Sequence, residues 1–534
     1  MKKIFIYGLS MLMVLVSSFT LSSCIDETLP TSGVTDEQVP PTEESAEALV
    51  MGLNNQISKI WTSSYHWSIG YAGLMIIRDI QSGELAFSPN GYQYNQWGNW
   101  YYDLYWGREY LTAQFMWQYQ TGFVLAANNA IAAVDTISGT DSEKGLAGAA
   151  FAYRALIYLD MAREYEFLEN DKTKPISPEG NDISGLTVPI VTEKTTEQQA
   201  RNNPRAKKKD MFNFILSDLQ AAEKFVPLLK ISSTSVPKID CVYGLYARLY
   251  MWMENYPMAE KYARMAIDAS TSQPMTKEEA LNITTGFNDA TKWMWGATYS
   301  RGNVSNLMNW AAFMTSENTY GYSGPLSMGG AGVLPQIPSA TYNKMSNTDW
   351  RKLMFKAPEG SSLYGKNTYC DAEIGEALED YTSTKFRPAG GNVSDYTAGN
   401  VTAFPIMRIE EMYFIEAEAA AHQDAERGKK LLETFMLSRD TKYSFKGTSQ
   451  DQIIEEIVFQ KQIELWGEGQ SFFDIKRLGY AVDKTTSVNI ESRAQFKTTS
   501  RPAWMNWAIV RSEETNNAGV RYYNNPDPAN NYAK

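Results

Sequence analysis

The stretch "IELWGEGQSFFDIKRLG", Ile463–Gly479, holds Glu464, Glu468 and Asp474 among Trp466, Phe472 and Phe473, with Lys476 and Arg477 close behind. Carboxylates in an aromatic setting are what a glycosidase or another acid/base enzyme needs. The same composition suits the docking end of a helix. Glu464 and Glu468 are four apart and share one helix face. Gly467 and Gly469 then break the helix, so Phe472, Phe473 and Ile475 turn inward. Lys461 and Gln462 flank Glu464, and Arg477 reaches back from the next segment. The stretch therefore reads as a helix terminus fixed by aromatics and charges, in which replacing either glutamate by Gln costs roughly 0–2 kcal/mol. No nucleophile elbow, zinc-protease helix, phosphate loop or EF-hand loop accompanies it. Nothing selects a catalytic pair among 61 acidic residues.

A second chemistry is suggested by "GYQYNQWGNWYYDLYW", Gly91–Trp106. Half of its residues are aromatic, and Asn95, Gln96, Asn99 and Asp103 are interleaved with glycines. A sugar presents an apolar C–H face and a rim of hydroxyls. A flat ring covers the face, and an amide or carboxylate satisfies the rim. Trp97, Trp100 and Tyr101, with Asn99 between them, are the candidate platform, and at least two rings of the stretch are expected to be exposed. Asp79 and Glu84, in "RDIQSGEL", are candidates for further hydrogen bonds; Asp79 equally suits pairing with Arg78 or capping a turn. Trp310, Tyr320 and Tyr322, in "NWAAF" and "TYGYSG", supply a second aromatic group on flexible turns.

These groups need a frame, and the frame reads as helical. In "YGLYARLYMWMENYPMAEKYARMAIDA", Tyr243–Ala269, small residues at Ala247, Ala259 and Ala266 match a tetratricopeptide-type helix pair, with Tyr256–Pro257 as its turn. Further helices are expected over Glu143–Phe167, Lys208–Pro227, Met407–His422, Gly428–Arg439 and Asp451–Gly467, the last opened by the cap-like pair Ser449 and Gln452. They cluster at 120–270 and 405–480. The stretch 275–400 is rich in Gly, Asn, Ser and Thr and reads as loops with a few short strands.

The chain begins with a basic Lys2–Lys3 pair, an apolar run to Val16 too short for a membrane span, and small residues, the pattern of a secretory signal. "LSSC", Leu21–Cys24, resembles a bacterial lipobox, which makes Cys24 the expected lipidation site. The polar, acidic, Pro-containing segment that follows suits a tether. The expected organisation is a signal peptide over 1–23, a tether over 24–44 and one domain over 45–534. The formal net charge of −12 argues against a nucleic-acid partner. With two His and three Cys, neither a disulfide framework nor a His/Cys zinc site is supported, although Cys241 and Cys370 allow one disulfide. No cofactor is expected.

Several segments, taken in order, resemble the SusD/RagB family of outer-membrane lipoproteins of Bacteroidetes. They are "YRALIYLDMAREYEF", Tyr153–Phe167; "VPIV", Val188–Val191; "NNPRAKKKDMFNFILSDLQAA"; the tetratricopeptide-like pair; "NTDWRK", Asn347–Lys352; "MRIEEMYFIEAEA"; and the Ile463–Gly479 stretch. The sequence departs from the family where Gln460–Lys461–Gln462 replaces the usual Glu-Arg-Arg and where Ser471 stands in place of a common Arg. The resemblance implies a mainly α fold, a SusD-like scaffold of tetratricopeptide-like helix pairs with a long irregular insertion. It also implies that glycan-binding regions lie mainly at 61–119 and 275–400, before a helix beginning near Gly122 and within loops. The implied role is a non-enzymatic, lipid-anchored surface protein that captures oligosaccharides and delivers them to a SusC-like TonB-dependent transporter. A peptide-binding lid of the RagB type, a helical scaffold without a ligand site, and a hydrolase remain the alternatives. Exposed rings on one face favour the first, a fully buried set the scaffold, and facing carboxylates across a cleft the hydrolase.

Overall fold

Thr42 accepts a hydrogen bond from the Ser45 amide and opens α1, Glu43–Ile57, whose apolar face is buried. This is the first described element of a computed structural model that describes residues 42–61, 67–87, 95–302, 304, 307–325 and 332–532. The leader, Cys24, the expected tether up to residue 41 and His66 lie outside the described residues, and Glu43 and Glu44, expected in the tether, open α1. The principal helices that follow are α2 (Tyr71–Ser82), α3 (Asn95–Tyr101), α4 (Leu111–Ala132), α5 (Asp141–Tyr165), α6 (Lys208–Phe225), α7 (Ile239–Trp252) and α8 (Tyr256–Ala269). After the irregular stretch come α9 (Trp310–Met314), α10 (Ile409–Ala421), α11 (Ala425–Met436), α12 (Gln450–Glu464) and α13 (Ser471–Leu478). None of the helices among the described residues is long and apolar enough to cross a membrane.

The fold is mainly α, as expected. Its frame is a succession of antiparallel neighbours: α4 on α5, α5 on α6, α7 on α8, α8 on α10, and α10 on both α11 and α12. Ala247, Ala259 and Ala266 are all fully buried at the α7–α8–α10 contacts, where a small side chain lets helix backbones approach. Tyr256 and Pro257 are the first two residues of α8 rather than its turn. The turn is Met253–Asn255, with Glu254 in the left-handed region (φ 54) and Asn255 capping α8. The Ser449–Gln452 pair forms a complete capping box at α12. Among the described residues the long central stretch contains one strand, β1 (Trp295–Thr298), which pairs antiparallel with β2 (Ala403–Met407). Cys241 and Cys370 are both free.

Two boundaries differ from expectation. The helix placed near Gly122 begins at Leu111. The segment 61–119, expected to be loop-rich, contains α2, every residue of which is buried. The continuous apolar run in "YAGLMIIRDI" is a helix enclosed on all sides, its Arg78, Asp79 and Gln81 buried with the rest.

Candidate functional site

Glu464 and Glu468 are structural, but their partners are not the ones their neighbours in sequence suggest. Glu464, at the end of α12, accepts from Arg439 Nη2 at 2.9 Å, Arg351 Nη1 at 3.1 Å and Arg408 Nη1 at 3.4 Å. Glu468 takes Lys385 Nζ at 2.7 Å and Arg408 Nη2 at 2.9 Å. Lys461 pairs instead with Asp474, and Arg477 with Glu418 and Asp474. Burial alone would raise the Glu464 pKa; Arg439, Arg351 and Arg408 outweigh it and hold the carboxyl far below the ordinary range. Gly467 (φ 80) and Gly469 (φ 67) let the chain turn tightly here. A Cβ on Gly467 would lie 2.4 Å from the Phe386 ring, and one on Gly469 would lie 2.7 Å from the Met75 Cα. Trp466 Nε1 donates to the Glu84 carbonyl at 2.9 Å, so the turn is docked onto the end of α2.

Asp79 belongs to this docking and not to a ligand site. It is buried, and its Oδ1 accepts from the Gly469 amide at 3.0 Å. Arg78, its neighbour, pairs with Asp160 and Glu164 instead. Burial pushes the Asp79 carboxyl well up, and Glu84, buried beside it, is pushed up by burial and then by Asp79. Raised carboxyls are a mark of active sites when they face a cleft. These two are covered on all sides, so they do not make the facing pair that a hydrolase requires.

The two aromatic segments meet, and they do so inside the core. Trp97 lies 5.7 Å from Phe313 and 6.0 Å from Phe87, and Phe313 stacks on Tyr322 at 4.8 Å. Trp100 stacks on Trp106 at 5.1 Å and donates from Nε1 to Thr112 Oγ1 at 3.2 Å. Trp97, Trp100, Tyr101 and Trp310 are 2 % exposed or less. This corrects the expectation that Trp97, Trp100 and Tyr101 present their faces. α3 is a helix of seven residues whose indoles and phenol are covered by Phe87, Phe313, Trp67 and Trp106. Trp310 packs on Phe386 at 4.5 Å, deep in the core. Tyr320 is buried too; it leans on Tyr396 and donates to the Asn392 carbonyl at 3.2 Å.

Asn99, Tyr102 and Tyr322 reach the surface in part. Tyr102 bonds to Glu491 through its hydroxyl, and Arg493 lies over its ring at 4.3 Å. Glu491 borders an open groove of about 340 Å³, lined also by Phe87, Gln336, Tyr381 and Asn489. The groove's amides are tied together: Gln336 Nε2 donates to Glu379 at 2.9 Å, and Asn489 Nδ2 to Gln336 Oε1 at 3.2 Å. Tyr381 is half-buried in a left-handed backbone conformation (φ 68), which turns its ring edge-on to Tyr342 at 5.3 Å. A non-glycine residue held there is strained, and such strain gathers at ligand sites. The groove thus combines a partly exposed ring, two amides and acidic groups, against a wall of buried rings. Tyr102 lies in the aromatic stretch that the sequence marks. Tyr381, Gln336, Asn489 and Glu491 carry no local signal, since they converge from three separate loops.

A model of the SusD family matches residues 307–531, and a second model, described as starch-binding associating with outer membrane, matches residues 79–251. No curated relative matches the chain. Its fold is similar to that of a SusD-like carbohydrate-binding protein from Bacteroides vulgatus (TM-score 0.69, 19 % identity, 90 % of this chain and 97 % of that one). It is also similar to a SusD superfamily protein from Bacteroides thetaiotaomicron (0.67, 17 %, 90 % and 98 %) and to surface glycan-binding protein A from Bacteroides uniformis (0.62, 15 %, 91 % and 99 %). The chain belongs to the SusD/RagB family. The family's widely spaced motifs have a shared physical purpose here: Arg351 of "NTDWRK", Arg408 of "MRIEEMYF" and Glu464 close into one buried ion network.

Proposed function

We propose that this protein is a glycan-binding lipoprotein of the outer membrane, anchored through Cys24 and facing the cell surface, which captures oligosaccharides and passes them to a SusC-like TonB-dependent transporter. It is a binding protein and not an enzyme. The observation that carries the reading is the groove at Tyr381, Gln336, Asn489 and Glu491, with Tyr102 bonded to Glu491 at its margin. A ring beside amides and carboxylates is the chemistry a sugar needs. Trp97 and Tyr101 back the groove through Phe87. The family membership and the carbohydrate-binding names of the fold neighbours support the same reading.

The groove is tested by affinity electrophoresis of the full chain through gels containing different polysaccharides. Loss of a ring stacked on sugar removes about 1–3 kcal/mol, by analogy with aromatic–base stacking, so Tyr381→Ala should weaken binding about 5- to 150-fold. Its melting temperature should change little, because the ring is already half solvated. Retention equal to wild type in every gel that slows the wild type would remove Tyr381 from the site. The anchor is tested separately: Cys24→Ala should shift the protein from the membrane to the soluble fraction, and unaltered membrane retention with surface exposure would refute lipidation at Cys24.

A further inference from the structure

Away from the groove, a cavity of about 200 Å³ opens between α5, α7, α10 and α13. Seven basic and four acidic side chains line it, an inverted balance in a chain whose net charge is −12. Most of the cations have carboxylate partners. Arg163 pairs with Asp160 and lies over the Phe473 ring at 3.5 Å; Lys208 pairs with Glu166. Four donors are left over, among them Arg477 Nη1, which is buried and has no partner among the described residues. Arg248 is 2 % exposed; its Nε and Nη2 are taken by Glu411 and the Ile406 carbonyl, and its buried Nη1 has no partner among the described residues. Arg501 Nε is likewise without a partner among the described residues. Lys476 is buried and donates only to the Glu164 carbonyl, at 2.7 Å.

Buried donors of cationic groups left without an acceptor are costly, and an oxyanion accepting from several of them offsets that cost. We propose that this cavity is a binding site for a small oxyanion of sulfate or phosphate size, held by Arg248 Nη1, Arg501 and Lys476. The cavity volume suits one such group and not a sugar chain. Burial pulls the Lys476 ammonium well down; Glu166 offsets part of this and Arg501 adds to it, and an anion between Lys476 and Arg501 would relieve the remainder. The oxyanion is either a free ion or the acidic group carried by a charged sugar; the shared chemistry is recognition of an anionic oxygen cluster by guanidinium and ammonium donors.

The test is calorimetric titration of the full chain with sodium sulfate, sodium phosphate and sodium glucuronate, each at constant ionic strength set with chloride. One saturable site is expected. Arg501→Gln, at a partly exposed position, should weaken it by about tenfold or more, the effect of one charge-assisted hydrogen bond. Lys476→Met should also abolish the response while melting close to wild type in chloride, since it removes an ammonium whose burial outweighs its attraction to Glu166. Tighter sulfate or phosphate than glucuronate identifies a free ion; the reverse identifies the acidic group of a sugar. Absence of saturable heat with all three salts, or equal affinity in wild type and both variants, overturns the proposal.

Discussion

Glu464→Gln should lower stability by about 3–5 kcal/mol, the cost of breaking a buried ion pair from one side. The carboxylate is the only anion that Arg439, Arg351 and Arg408 all share at distances of 2.9–3.4 Å. A neutral amide in its place leaves cationic charge uncompensated in the interior. This exceeds the 0–2 kcal/mol expected when the pair is taken for a helix-end feature, because the network is enclosed rather than solvated. The wild-type acid response carries the same signature. The Glu464 pKa is depressed in the fold, so its contribution is fully present above the unfolded carboxyl value of about 4.3 and is lost as pH falls from there through the folded value. The unfolded chain takes up this proton first, which gives a slope of about 1.4 kcal/mol per pH unit in that window. The Gln variant should lack that part of the slope. Urea unfolding of both proteins between pH 3 and pH 7 measures it. An unchanged midpoint at neutral pH, or an identical acid slope, would show that Glu464 does not neutralise the cluster.

Trp97→Ala is expected to cost about 3–5 kcal/mol, as for other buried indoles. The ring is 1 % exposed and is held between Phe87 and Phe313, so its removal leaves a cavity between α3 and α9. Thermal melting should fall by several degrees, and glycan binding at a temperature where the variant is folded should survive. That pattern is the reverse of the one expected for Tyr381→Ala. Intact melting with binding lost would mean that the indole faces the sugar when ligand is present, and that α3 opens to admit it.

The helical frame was legible because its signals are local. Small residues recur at Ala247, Ala259 and Ala266, and Ser449 and Gln452 are three apart; both are read within one or two turns. The closure of the frame was not legible in the same way. Arg351, which meets Glu464, lies 113 residues away in sequence, so spacing alone pairs Glu464 with the wrong neighbours. The resemblance to the family placed Arg351 and Arg408 in motifs without saying that those motifs touch. The aromatic stretch Gly91–Trp106 illustrates a different limit. A Trp that stacks on sugar and a Trp that stacks on Phe313 leave the same letter in the sequence. Interleaved amides and glycines marked this stretch, but nothing in them said that it packs on the 310–322 segment. They did not reveal that the short helix α3 would turn Trp97, Trp100 and Tyr101 inward, leaving Tyr102 and Asn99 at the edge.

The reading of this protein as an oligosaccharide-capturing member of its family is tested most directly by a crystal structure of the full chain grown with the polysaccharide fragment that retards it most in affinity gels. The groove predicts sugar density against the Tyr381 ring, with hydroxyls within hydrogen-bond reach of Gln336, Asn489 or Glu491. Sugar bound at a distance from these residues, or no retardation by any glycan together with saturable binding of a peptide, would contradict it.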